Sequence, residues 1–164
     1  MALTNRGSFL YISNILLNSL NDRPQPKLDN QNINYIKSLA FAEFKVGNMV
    51  SSVELYQKAL DLDPANFNIS LDFSLMYYES GDVEKAISII EDSIDEVPHE
   101  SLLYYRLVIY LMDAGKYKES INVLESALSL NFDNHEVLFD FVPNFESQSA
   151  LIRVINQYRK NNLK

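Results

Sequence analysis

The sequence predicts an all-α protein, a stack of antiparallel helical hairpins, and two observations carry that prediction. An eighteen-residue phrase is written three times: Gly47–Pro64 reads GNMVSSVELYQKALDLDP, Gly81–Pro98 reads GDVEKAISIIEDSIDEVP and Gly115–Phe132 reads GKYKESINVLESALSLNF, each 34 residues after the last. On both sides of every glycine, apolar residues recur at spacings of three and four, the period of a helix with one buried stripe.

The chain begins with a segment outside this register. Gly7–Leu20 has helical periodicity, with Phe9, Ile12, Leu16 and Leu20 on one side, and NDRPQPKLDN (residues 21–30) is a polar linker with two prolines. Residues 1–30 are therefore expected to be an amphipathic helix and its linker. Three roles are open to that helix: a cap folded back on the first repeat, the contact of a homodimer, or an appendage. Phe9–Leu20 is too short and too polar (Asn14, Asn18) to span a membrane, and no small-residue cleavage site follows it.

Three windows of 34 residues follow without a gap: 33–66, 67–100 and 101–134. Before each glycine stands a first helix, marked by Ile36, Leu39 and Ala40, then Ser70, Phe73 and Ser74, then Tyr104, Leu107 and Val108. After it stands a second, marked by Val53, Tyr56 and Leu60, then Ile87, Ile90 and Ile94, then Ile121, Leu124 and Leu128. Glycine sits where the first helix must stop and reverse, which predicts a left-handed backbone at Gly47, Gly81 and Gly115.

Three columns stay small: Ala40/Ser74/Val108, Ser52/Ala86/Ser120 and Ala59/Ser93/Ala127. They mark the line along which two helices approach closely. Pro64 and Pro98 stop the second helices. Phe132 takes that place in the third window, where the stop is less firmly written. Residues 135–164 are expected to hold a degenerate repeat, with a first helix from His135 broken at Pro143-Asn144. A capping helix over Ser147–Lys160 follows, with Leu151, Val154, Ile155 and Tyr158 inward.

Period, glycines, small columns and the KALDLDP ending (Lys58–Pro64) resemble the tetratricopeptide repeat, whose unit is 34 residues. The likeness covers residues 33–134. It departs where Ile36, Ser70 and Tyr104 replace a frequent tryptophan, and where only Tyr77 matches a usual later tyrosine. The resemblance implies a right-handed superhelical solenoid of hairpins that stack to bury what no single repeat can.

It also implies a concave, partly apolar groove lined by the first helices. Carried over column by column, its most informative residues are Lys37, Phe41, Leu71, Asp72, Leu75, Tyr105, Arg106 and Ile109. Phe41, Leu71, Leu75, Tyr105 and Ile109 are not needed for the hairpin stripe, so they form a second apolar face for a partner or for the N-terminal helix, which could itself fill the groove. Members that clamp a Glu-Glu-Val-Asp terminus do so with five polar columns. Only Lys37 and Arg106 match here; Phe41, Asp72 and Leu102 stand in the other three, so that ligand is not expected.

The chemistry of catalysis is poorly represented. There is no cysteine, which fits a reducing cytoplasm and excludes thiol nucleophiles and zinc ribbons. His99 and His135 each precede glutamate at a repeat junction, without metal-ligand spacing, and both are expected to be exposed. No phosphate-binding glycine loop or nucleophile motif occurs, so no cofactor and no enzymatic activity are expected. Charge is informative. Residues 61–100 hold eleven acids against Lys85, a net of −10 in a chain of net −8, which repels nucleic acid and anionic membranes. The function expected is a non-catalytic scaffold that takes a peptide with apolar anchors and basic flanks. The alternative is a secretion-type chaperone holding an unfolded client.

Overall fold

The computed structural model describes residues 32–141 and 148–162. The amphipathic segment expected over residues 1–30 lies outside them, as does Pro143-Asn144. Ile33–Lys164 forms one compact unit. It contains six helices in consecutive antiparallel pairs: α1 (Ile33–Lys45) with α2 (Met49–Leu62), α3 (Phe67–Glu79) with α4 (Val83–Glu96), and α5 (Ser101–Asp113) with α6 (Tyr117–Leu130). A 3₁₀ turn (Asp133–Glu136), a short α7 (Val137–Phe141) and the terminal α8 (Ser149–Asn162) follow. No strand occurs among the described residues.

Each hairpin turns by the same device. Gly47, Gly81 and Gly115 have φ of 87°, 89° and 74°. The glycine amide donates to the carbonyl three residues back, and the next amide donates to the carbonyl five back: Asn48 to Glu43, Asp82 to Tyr77, Lys116 to Leu111, at 2.8–2.9 Å. That pattern satisfies carbonyls a helix end would leave unpaired, and it requires a left-handed residue at the glycine. A Cβ at any of the three would meet nothing within 4 Å, so backbone conformation alone selects glycine.

The second helices end at the residues the prolines dictate. Asp63 and Val97, directly before Pro64 and Pro98, leave the helical region with φ of −149° and −131°. The third pair stops at the equivalent place without proline. Asn131 is its cap; its side-chain oxygen accepts from the Asp133 amide, and its carbonyl accepts from the Tyr105 hydroxyl at 2.8 Å.

All nine residues of the small columns are buried. Ser52 Oγ donates to the Ala40 carbonyl at 2.7 Å, so the first hairpin closes directly between two of those columns. First helices also pack on one another, α1 on α3 and α3 on α5, whereas the second helices α2, α4 and α6 meet each other less closely and leave grooves between them. The core is heaviest around α5, which buries nine of its thirteen residues. The terminal helix α8 packs Leu151 and Ile155 against α6 and keeps Arg153, Gln157 and Lys160 outward, as its periodicity predicts.

Candidate functional site

The first helices α1 and α3 enclose a groove of about 380 Å³. α1 contributes Lys37, Phe41 and Phe44; α3 contributes Asp72, Leu75 and Glu79. Residues four apart on one helix share a face, which is why Lys37, Phe41 and Lys45 line up on α1 and Asp72, Leu75 and Glu79 face them from α3. Phe41 is 52% exposed, an unusual position for an aromatic ring that no hairpin contact needs.

The charges of the groove are already paired. Lys37 Nζ lies 2.7 Å from Asp72 Oδ2, and Lys45 Nζ lies 2.6 Å from Glu79 Oε2, each pair joining the first repeat to the second. Lys45 also stands over the rings of Phe41 and Phe44, at 5.1 and 5.0 Å from their centroids, so its ammonium is held by a carboxylate and two aromatic faces together.

The floor is a residue that periodicity assigned only to the hairpin stripe. Tyr56, on α2, is 1% exposed, stacks on Phe73 at 5.2 Å and reaches the groove between the first helices. Burial, reinforced by the negative charges of Asp72 and Glu79, pushes its hydroxyl up to about 12. Its column holds Ile90 and Leu124 in the other repeats, and that change from aliphatic to a long, polar-tipped ring is the signal that distinguishes it.

The remaining expected wall residues are placed differently. Leu71 is half-buried against the core. Tyr105 and Ile109, expected on the open wall, are buried (0% and 2% exposed). The physical reason is the chain after α6: the 3₁₀ turn and α7 pack on α5. Arg106 is half-buried there, its guanidinium 3.9 Å from the centroid of the Phe141 ring and its Nη1 donating to the Tyr110 hydroxyl at 3.3 Å. The accessible groove therefore belongs to the first two repeats, and Lys37, Phe41, Asp72 and Leu75 are the expected residues it brings together.

The histidines also separate. His99 is exposed as expected, but His135 is buried, its Nδ1 2.6 Å from the Phe132 carbonyl and its ring against those of Phe132 and Phe139. Tilted and edge-on contacts with those two rings hold it inward. Among the described residues no group of His, Asp or Glu is arranged to hold a metal, and no helix is long and apolar enough to cross a membrane.

Comparison with known proteins agrees with this architecture. Residues 102–134 match the family model described as tetratricopeptide repeat. Over 74 residues the chain is 31% identical to Superkiller protein 3 of Saccharomyces cerevisiae, a match that covers 45% of this chain and only 5% of that protein. The chain thus spans a small part of its relative. Among solved structures, the first repeat domain of Spaghetti (RPAP3), bound to the HSP90 peptide SRMEEVD, superposes with a TM-score of 0.55 at 20% identity, covering 81% of this chain and 98% of that one. A crystal structure of MamA superposes with a TM-score of 0.55 at 16% identity, covering 82% and 78%. Three glycine-turned hairpins at a 34-residue period, the third matching the repeat's own model, give this chain the architecture of a tetratricopeptide-repeat solenoid.

Proposed function

We propose that the repeats form a non-catalytic protein-interaction module whose ligand, a peptide or helical segment, seats its apolar side chains in the groove between α1 and α3. The observation that carries this reading is Phe41, half exposed beside Leu75 over the buried ring of Tyr56. Each apolar anchor well buried there contributes about 1.5–3 kcal/mol. Basic flanks on the ligand add little at this groove, because Asp72 and Glu79 already hold lysines and exposed pairs are worth only about 0–1 kcal/mol.

A ligand ending in carboxylates fits poorly. Lys37 is held by Asp72, and Arg106 is stacked on Phe141. The solved neighbour that carries an HSP90 peptide supports the general mode of peptide capture and no more than that.

The test compares proteins captured by the wild type and by Leu75→Asp, identified by mass spectrometry, with circular dichroism confirming that helical content is unchanged. A ligand of the groove is lost from Leu75→Asp. A partner captured equally by both proteins places binding elsewhere on the molecule.

A further inference from the structure

The acids of residues 61–100 divide sharply between the two faces. On the first helices Asp72 and Glu79 are neutralised by lysines, and Glu84 at the start of α4 is paired with Lys116 at 2.8 Å. On the face made by the second helices, Asp61, Asp92 and Glu96 are exposed and make no ion pair among the described residues. The uncompensated part of the −10 charge over residues 61–100 thus lies largely away from the groove described above.

That charge rims a second groove. Because α2 and α4 do not close on each other, a trough of about 480 Å³ runs between them over α3. Phe73 and Ile89, both buried, lie at its bottom with Leu60 beside them, and Asp61, Asp92 and Glu96 stand at its edges. Among the described residues, Lys85 is the one base lining it. Ser93 also lines it, and its buried hydroxyl has no hydrogen-bond partner among the described residues, unlike the hydroxyl of Ser52 in the first hairpin. A buried hydroxyl left unpaired is costly, and a ligand that supplies a partner relieves that cost.

We propose that this trough between α2 and α4 is a second docking surface, and that its occupant is a basic amphipathic segment of a partner protein. Apolar side chains of that segment enter over Phe73 and Ile89. Lysines or arginines reach Asp61, Asp92 and Glu96, and a carbonyl or hydroxyl of the ligand meets Ser93. Acids free of internal ion pairs speed association and select a cationic partner, while apolar burial holds it.

The experiment uses the full chain and a synthetic amphipathic peptide of leucine and lysine, with a leucine and glutamate peptide as control. Amide shifts are followed by NMR as each peptide is added. The lysine peptide shifts residues of α2 and α4 around Leu60 and Ile89, weakens as salt is raised, and binds about three- to tenfold more weakly to the Asp92→Asn, Glu96→Gln double variant. Both positions are exposed, so the variant keeps its fold. Leu75→Asp binds the lysine peptide as the wild type does, which separates this surface from the groove between α1 and α3. Equal binding of the glutamate peptide, unchanged affinity in the double variant, or shifts scattered over the whole acidic surface would each overturn the proposal.

Discussion

Lys37 and Asp72 meet at 2.7 Å across the seam between α1 and α3, the lysine side chain 21% exposed and the aspartate side chain 48%. A half-exposed pair of this kind is screened by water, and its removal costs no more than about 1 kcal/mol. The consequence for recognition is larger than that for stability. Asp72→Asn releases the ammonium of Lys37 into the groove, so the variant should hold apolar ligands with acidic flanks better than the wild type does. Calorimetry with one apolar peptide carrying acidic and then basic flanks would read the reversal, and a flank preference identical in both proteins would rule it out.

Gly81→Ala should destabilise by about 1–2 kcal/mol, because φ of +89° is a left-handed backbone that crowds any Cβ against the main chain although the surroundings are empty. Gly81→Asn should cost less, since asparagine tolerates the left-handed region. Urea unfolding of the two variants measures the difference. Equal losses would mean that something other than backbone conformation selects glycine there.

Ala86→Leu tests the tight contact in the second hairpin. Ala86 is fully buried in the column of Ser52 and Ser120, and overpacking such a site costs about 1–3 kcal/mol. Thermal unfolding should show the loss, and an unchanged melting temperature would place the close approach elsewhere.

Stability should fall at alkaline pH. The Tyr56 hydroxyl is raised from 10.0 to about 12, so the folded state binds that proton more tightly than the unfolded chain. Its contribution is therefore complete below pH 10 and is lost as pH rises between 10 and about 12. Burial raises Tyr105 in the same direction. Tyr56→Phe should lessen the alkaline loss, read from denaturant midpoints across that range; an identical pH profile would put the titration on other groups.

How far the sequence could be read depends on where each property resides. The backbone freedom of Gly81 and the small volume of Ala86 belong to the residues themselves, so the turns and the hairpin contacts were legible in the columns. Exposure does not belong to a residue. Tyr105 and Ile109 have the same helical positions as Lys37 and Phe41, yet the 3₁₀ turn and α7, which depart from the repeat pattern, pack on α5. The pairing of Asp72 likewise depends on a lysine 35 residues earlier, which period alone does not assign. The groove-side role of Tyr56 is not legible in the stripe because one residue serves two surfaces, packing on Phe73 while its far end floors the groove.

The burial of α1 and α5 is unequal: two buried residues in the first against nine in the second. Repeats that touch only their neighbours open one at a time, so among the described helices α1 should open more readily than α5. The groove between α1 and α3 is built on that less deeply buried helix. A ligand seated there would have to hold α1 in place as it binds, and part of its affinity would be spent on ordering. Amide exchange in α1 should then slow more than exchange in α5 when the groove is filled, so that occupancy is registered as rigidity without any change of shape.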